Sequence, residues 1–136
     1  MKKILVVALS AFLFIACEKE TEIPLEVDAD VVGWWVLHSI IIDDVEQDLN
    51  RCQAETYLLL DADERVINYI VNVDSQFGCF PNDGGNGWYV VSGNEITINY
   101  DEGNAYNETD TYTFELKDDK LFLHISNNEI YIYKRK

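Results

Sequence analysis

The residues with the most distinctive chemistry in this sequence are two histidines, three cysteines and a large excess of carboxylates. Such side chains form metal sites when three or four of them meet at suitable spacing. His38 and His124 lie far apart in the chain, and no tight group of cysteine and acidic residues surrounds either of them. The sequence therefore predicts no metal site and no cofactor.

Catalytic motifs are also missing from the sequence. It contains no glycine-rich phosphate loop, no Gly-x-Ser-x-Gly elbow and no His-Glu-x-x-His pair. Acidic residues number 25 against 10 basic ones, so any two carboxylates would make an apparent acid–base pair, and such a pair carries no information. We expect a protein without enzymatic activity. The net charge of −15 would repel phosphate backbones, which predicts that nucleic acids are not partners.

The N-terminus has the pattern of an export signal. Lys2 and Lys3 precede an almost unbroken apolar run from Ile4 to Ile15. This run is too short to cross a bilayer, which takes roughly 20 helical residues, but it suits the apolar region of a secretory signal peptide.

The apolar run ends in Phe14-Ile15-Ala16-Cys17, which resembles the lipobox of bacterial lipoproteins. The resemblance implies cleavage before Cys17 and acylation of that residue, hence a protein anchored to the membrane by lipid. Lys19 and Glu20 resemble a surface-export signal of lipoproteins in some Gram-negative bacteria. We therefore expect the protein in the bacterial cell envelope, at the outer membrane and exposed on the cell surface.

These signals divide the chain into three parts: a signal peptide (1–16), an acylated cysteine with an acidic tether (17–30) and a folded domain (31–136). If Cys17 is acylated, Cys52 and Cys79 are the remaining thiols. An even pair of cysteines in an exported protein favours a disulfide. Two buried free thiols are the alternative.

After residue 30 the sequence alternates between apolar and polar residues, as in β-strands, and shows no helical period of useful length. Eight strands are predicted, at 32–42, 55–60, 65–73, 88–91, 95–100, 110–116, 120–126 and 129–135. Short links between them favour an all-β, up-and-down antiparallel eight-stranded barrel, with an open two-layer sandwich as the alternative. Asn127-Asn128 predicts a hairpin turn with positive φ. In the last strand both alternating sets are large, so its inner face stays ambiguous.

One link is longer and more charged than the others. Residues 43–52 connect the first two predicted strands, and they form either a lid over one mouth of the barrel or a solvated loop.

The segment Gly33-Trp34-Trp35-Val36-Leu37 resembles the Gly-x-Trp signature of lipocalins, and the domain is similar to the lipocalin-like domains of bacterial lipoproteins. The resemblance extends over about 31–136. Its further blocks, in order, are Leu58–Asp63, Trp88 with Ser92–Ile98, Thr111–Leu116, Leu121–Leu123 and Tyr131–Arg135.

The resemblance implies an eight-stranded barrel that can hold one small ligand. It also implies that the signature tryptophan, here Trp35, closes one end of the barrel beneath a basic residue of the last strand, Lys134 or Arg135. Trp34 fills a position that is often polar in the family. It either offers an interaction point or packs under a loop, and we favour packing.

Two functions remain open for such a barrel. In the first, a small hydrophobic or amphipathic molecule binds inside, against Trp35, Leu37, Leu58, Leu60, Ile96, Ile98, Tyr112, Phe114, Leu121 and Leu123. In the second, the same residues fill the interior completely, and the protein acts through its surface on a protein or glycan partner.

Overall fold

The computed structural model describes residues 30–76, 78–81, 84–101 and 109–136. The predicted signal peptide, Cys17 and the tether up to residue 29 lie outside the described residues. A 3₁₀ turn spans Gln53–Glu55. In chain order the strands are β1 (Gly33–Ile42), β2 (Val45–Gln47), β3 (Tyr57–Leu60), β4 (Arg65–Tyr69), β5 (Val71–Asp74), β6 (Gly78–Pro81), β7 (Gly85–Ser92), β8 (Glu95–Tyr100), β9 (Thr109–Lys117), β10 (Lys120–Ser126) and β11 (Glu129–Arg135).

Eight of these strands close into a barrel. Antiparallel pairing runs in the order β1-β3-β4-β7-β8-β9-β10-β11, and β11 then pairs back along β1 from Trp35–Arg135 to Ile42–Glu129. This closure confirms the predicted barrel and excludes the open sandwich, because no strand of the ring is left as an edge. β2 adds to one end of β1, and β5 pairs with β6 in a separate hairpin.

The turns differ in how the backbone reverses. Asp43-Asp44 and Asp118-Asp119 both have positive φ, as a two-residue type I′ turn requires. The hairpin predicted at Asn127-Asn128 is present between β10 and β11, but its two residues do not adopt positive φ, so that part of the prediction is wrong. Asn128 instead donates from its side-chain amide to Asp43 Oδ1 at 2.9 Å, which joins the two turns.

Three predicted strands also differ in their boundaries. The strand expected over 55–60 begins at Tyr57, because Glu55 belongs to the 3₁₀ turn. The strand expected over 65–73 is interrupted at Ile70, because β4 stays in the barrel while β5 leaves it to pair with β6. The strand expected over 88–91 begins earlier, at Gly85, and ends at Ser92. A Cβ atom on Gly87 would collide with the carbonyl oxygen of Asn99 in β8, so this glycine permits close strand approach.

The barrel interior is a continuous apolar core. Inward side chains follow the expected alternation in β8, β9 and β10, and pairing resolves the ambiguity in β11. Tyr131 and Tyr133 lie opposite Leu123 and Leu121 of β10 and point inward with them. The buried core consists of Val31, Trp35, Leu37, Ile40, Leu58, Leu60, Val66, Tyr89, Ile96, Ile98, Phe114, Leu121, Leu123 and Tyr133.

Candidate ligand-binding site

The side chains predicted to line the barrel come from five strands, and the structure brings them into one cluster. All except Tyr112 are at most 5% exposed, and Tyr112 is partly buried against the others. The set is Trp35, Leu37, Leu58, Leu60, Ile96, Ile98, Tyr112, Phe114, Leu121 and Leu123. Such burial suits a barrel core as well as a ligand pocket, so the polar groups inside indicate where a ligand would be oriented.

Sequence reasoning did not select three further tyrosines on the inner wall. Together with Tyr112 they form what we call the tyrosine cluster: Tyr100, Tyr112, Tyr131 and Tyr133. Alternation in β8 already placed Tyr100 on the same face as two core isoleucines, and this signal could have identified it. For Tyr131 and Tyr133 no local signal was available, because isoleucines and tyrosines alternate in β11 and both are large. Only the pairing of β11 with its neighbours shows that the tyrosines face inward.

Tyr100, Tyr112 and Tyr131 lie towards the end of the barrel where β8 ends, β9 begins and β10 turns into β11, which we call the tyrosine end. Tyr133 lies deeper in the barrel, opposite Leu37 and Leu121, and its phenol interacts with the other three. The rings of Tyr131 and Tyr133 are tilted, with centroids 6.4 Å apart. The side-chain amide of Asn68 in β4 donates to the hydroxyl oxygen of Tyr100 at 3.0 Å. Phenol and amide groups from four strands therefore face one region of the interior.

Burial sets the protonation state of this cluster. It is the main cause that raises the pKa of Tyr112 and of Tyr133 well above the ordinary value of 10.0, and the neighbouring tyrosines add to both shifts. The pKa values of Tyr100 and Tyr131 are also raised by burial. The four hydroxyls thus stay protonated and neutral at physiological pH, where each can donate one hydrogen bond and accept others.

Two carboxylates border the cluster. Asp110 pairs with the core residue Ile98 across the β8–β9 ladder, and its charge and hydrogen bonding contribute to the raised pKa values of Tyr100 and Tyr112. Glu129, which lies opposite Ile42 at the start of β11, acts in the same way on Tyr131. The tyrosine end therefore combines neutral donors with two negatively charged acceptors.

A pocket of about 210 Å³ opens at the rim of this end. It lies between the end of β4 and the start of β7, and Asn68, which holds Tyr100, is part of its wall. Gly84 has no room for a side chain, because a Cβ atom there would collide with the carbonyl oxygen of Asn68. The rim pocket is lined by Ile67, Asn68, Tyr69, Ile70, Pro81, Gly84, Gly85 and Asn86.

A disulfide fastens the connections around this rim. Cys52 and Cys79 are bonded, with their Cα atoms 5.1 Å apart, which confirms the predicted pair. The bridge ties the segment after β2 to β6, and the hydroxyl of Thr56 accepts a hydrogen bond from the backbone N–H of Val71 at 3.1 Å. The 43–52 link, predicted as a loop, contains β2 and otherwise runs without strand structure. Its role as a lid stays a prediction.

The opposite end of the barrel, which we call the tryptophan end, is closed by Trp35. Its indole N–H donates to the carbonyl of Val31 at 2.7 Å. Arg135, one of the two basic residues predicted for this role, lies 4.3 Å above the ring and donates to the carbonyls of Val32 and Asp30. Gly33 makes space for it, since a Cβ atom there would lie 2.7 Å from Arg135 Nη1. Lys134, the other basic residue predicted for this role, is exposed and lies opposite Val36 in the β1–β11 ladder.

Outside the barrel, Trp34 begins a row of aromatic rings. It is 43% exposed, lies 5.6 Å from Tyr57 between ring centroids, and Tyr57 stacks on Tyr69 at 5.0 Å. The ammonium group of Lys136 lies 3.7 Å from the centroid of the Trp34 ring. Trp34 thus packs against neighbouring side chains of the outer surface, and we call Trp34, Tyr57 and Tyr69 the outer aromatic row.

The described ranges contain neither a metal-site arrangement nor a membrane-spanning helix. No group of three or more His, Cys, Asp or Glu side chains is arranged there to hold a metal ion. No helix in that part of the chain has the length and apolarity needed to span a bilayer. His124 lies on the outer face, with Nε2 at 3.6 Å from Glu115, and His38 is exposed on β1.

Comparison with known proteins gives the fold a family. The sequence profile of the lipocalin-like domain matches residues 31–133. An uncharacterized protein from Bacteroides eggerthii is 17% identical, with a TM-score of 0.53 over 77% of this chain and 98% of its own. A lipocalin-like protein from Bacteroides uniformis is also 17% identical, with a TM-score of 0.53 over 79% of this chain and 99% of its own. No curated protein matches the sequence. The profile match covers most of the chain and the barrel closes as the family requires, so this protein belongs to the lipocalin-like domain family.

Proposed function

We propose that this protein is a lipid-anchored binding protein, rather than an enzyme, that carries one small amphipathic molecule in its barrel. The observation that supports this most directly is the tyrosine cluster. Its hydroxyls belong to one buried and three partly buried tyrosines, and they connect, through Asn68, to a pocket at the rim. A purely structural core would favour apolar residues there, because a buried hydroxyl costs about 1–3 kcal/mol unless it is given a partner.

The shape of the interior suggests how a ligand would lie. Its polar group would meet the hydroxyls of the tyrosine cluster, and its apolar part would extend towards Leu123, Phe114 and Ile98. The tryptophan end is closed by Trp35 and Arg135. Entry from the tyrosine end is therefore the path that this arrangement favours.

Ligand binding is tested by displacement of a neutral fluorescent probe, N-phenyl-1-naphthylamine, from the full-length protein, together with native mass spectrometry before and after organic extraction. We expect saturable probe binding and an adduct that extraction removes. Phe114→Ala should weaken probe binding while the barrel stays folded by circular dichroism. Absence of both probe binding and adduct would contradict the carrier function.

A matched pair of variants locates the site. Tyr131→Phe removes one hydroxyl from the tyrosine cluster, and Tyr57→Phe removes one from the outer aromatic row. Only the first should lower the affinity of a ligand with a polar head group. Equal effects of the two variants would show that the barrel interior is not the site.

The outer aromatic row supports a second candidate, in which the barrel acts through its surface on a glycan or protein. Aromatic side chains are enriched where proteins bind partners. Trp34→Ala would then abolish partner binding and leave probe uptake unchanged. Loss of probe uptake instead would assign Trp34 a role in the barrel itself.

Anchoring at Cys17, and with it a position at the outer membrane of a bacterial envelope, is part of the same proposal. It is supported by the apolar run and the lipobox-like residues before Cys17. Metabolic labelling with a palmitate analogue should mark the wild-type protein and not Cys17→Ser. Labelling of both proteins would rule out this cysteine as the attachment site.

A further inference from the structure

Charge is distributed unevenly over the interior of the barrel. Asp110 faces the inner wall at the tyrosine end, because it pairs with the buried Ile98, and Glu129 alternates with Tyr131 and Tyr133 on the inner face of β11, at the barrel mouth beside the 41% exposed Ile42. Both are partly buried and both act on hydroxyls of the tyrosine cluster. Two carboxylates in a partly buried site repel an anion much more strongly than two carboxylates in water would.

Among the residues that the structure describes, no basic side chain lies beside these carboxylates inside the barrel. Among the described strand positions that alternate into the barrel, Arg135 alone is basic, and it lies at the tryptophan end over Trp35. Arg65 is on the outer surface, where it pairs with Asp101 at 2.7 Å. The other basic residues of the described chain are Arg51, Lys117, Lys120, Lys134 and Lys136, all outside the apolar core.

The remaining groups at this end also suit a cation. Hydroxyl oxygens of the tyrosine cluster have lone pairs free to accept from an ammonium group, and the ring faces of tyrosines attract cations by about 0.5–2 kcal/mol. Asp110 and Glu129 supply full negative charge, and a carboxylate has room for several donors. A carboxylate or phosphate head group would find donors here, but it would meet two like charges.

We infer that the ligand of this barrel carries a protonated amine as its polar head, held at the tyrosine end by Asp110, Glu129 and the tyrosine hydroxyls, with an apolar tail directed into the core. This inference rests on the proposed carrier function and specifies its ligand class. The net charge of −15 acts in the same direction, because it raises the local concentration of cations around the protein.

The experiment compares three probes with one tail and different heads: n-octylamine, n-octanol and n-octanoate. Their dissociation constants for the full-length protein are measured by titration calorimetry at neutral pH, below their micellar concentrations. We expect n-octylamine to bind about tenfold or more tighter than n-octanol, as a charge-assisted hydrogen bond implies, and n-octanoate to bind weakest. Equal affinities, or tightest binding of n-octanoate, would overturn the inference.

Variants assign the effect to the two carboxylates. Asp110→Asn and Glu129→Gln should each weaken n-octylamine about tenfold and leave n-octanol within about twofold. Glu115→Gln is the control, because Glu115 is an exposed carboxylate on the outer face of the same strand as Asp110. If Glu115→Gln weakens n-octylamine as much as Asp110→Asn does, the preference comes from the general charge of the protein and the inference is wrong.

The two proposals fail in different ways. If N-phenyl-1-naphthylamine and n-octanol bind but n-octylamine has no advantage, the carrier function stands and the amine head is wrong. If none of the probes binds while the protein is folded, the carrier function fails and the amine inference fails with it. Melting curves of Asp110→Asn and Glu129→Gln establish that each variant is folded before its affinity is interpreted.

Discussion

The two ends of this barrel satisfy their buried polar groups in different ways. At the tryptophan end, the partners are backbone carbonyls: Trp35 donates to Val31, Arg135 donates to Val32, and the hydroxyl of Tyr89 donates to Asp61 at 2.7 Å. At the tyrosine end, side chains contact other side chains, as Asn68 does with Tyr100.

This difference suggests that the tryptophan end serves stability and the tyrosine end serves binding. A backbone carbonyl in a strand or turn cannot leave its partner without local unfolding, so the tryptophan end is a fixed closure. Side chains can exchange one partner for another by rotation, at a cost of about 1–2 kcal/mol in lost freedom when they are ordered. Groups at the tyrosine end can therefore turn towards a ligand. Substitutions at the tryptophan end should therefore lower the free energy of unfolding, and substitutions at the tyrosine end should lower the affinity for a ligand.

The largest effect is expected from Trp35→Ala at the tryptophan end. Trp35 is fully buried, and removing a large buried aromatic side chain costs about 3–5 kcal/mol of unfolding free energy. Urea denaturation measures this loss. Trp88→Ala is the control, because Trp88 is 46% exposed and its removal should cost much less. Similar losses for both tryptophans would show that Trp35 has no special role in closing the barrel.

Removal of the disulfide should have the next largest effect. Cys52 and Cys79 are 27 residues apart, and on the chain-entropy model their bridge stabilises the fold by about 3–4 kcal/mol. We expect Cys52→Ser with Cys79→Ser to lose about that much in urea denaturation. Reducing agent should lower the wild type to the same level and leave the double variant unchanged. A wild type insensitive to reductant would contradict this.

Alkaline pH should destabilise the protein through its buried tyrosines. Burial raises the pKa of Tyr89 from 10.0 to about 12, and raises the pKa values of the tyrosine cluster as well. Since the folded state holds these protons more tightly than the unfolded chain, the stability that these tyrosines contribute is fully present below about pH 10 and is lost as the pH rises further. Tyr89 alone accounts for roughly 2–3 kcal/mol between pH 10 and 12.

The measurement is urea denaturation at a series of pH values, with tyrosinate absorbance recorded in parallel. Tyr133→Phe provides the comparison, because this variant lacks one of the buried hydroxyls and should lose less stability above pH 10. Stability that rises between pH 10 and 12 would have the opposite sign and would refute the interpretation.

The smallest effects come from single hydroxyls, and they test the comparison of the two ends directly. Tyr89→Phe removes the hydrogen bond to the Asp61 carbonyl and should cost about 1 kcal/mol of stability without changing probe affinity. Tyr100→Phe should change stability less, since Asn68 can turn to water, but it should lower affinity for a polar ligand. Melting and titration experiments measure the two effects. If Tyr89→Phe lowers the affinity and Tyr100→Phe lowers only the stability, the assignment of stability and binding to the two ends is wrong.

Local patterns predicted much of the fold. The strands β8, β10 and β11 were predicted with their observed ends, and β1 and β9 with ends that agree to within one residue, because alternation and Gly, Asp or Asn turns mark them clearly. The break at Ile70 was not predicted, since residues 65–73 contain no Gly, Pro or Asp that would signal a turn. Only the pairing of β5 with β6, stabilised by the Cys52–Cys79 bridge, takes the chain out of the barrel at that point.

For the candidate site, the apolar wall was predictable and its polar end was not. Phe114 and Leu123 follow alternation that any β-strand would show, whereas Asp110 lies at a strand end, where a charged residue usually faces water. Its position on the inner wall depends on its pairing with Ile98. The inward face of Tyr131 likewise depends on the register of β11 against β1 and β10.

The amino-acid sequence by itself determined the strand content, favoured the closed barrel and the pairing of Cys52 with Cys79, and indicated the role of Trp35, because these depend on local alternation, on the number of thiols and on a short family signature. The tertiary structure alone decided that four tyrosines and two carboxylates come together on the inner wall of the barrel. They come from β8, β9 and β11, and strand register, a relation between distant segments, sets which of their side chains face each other.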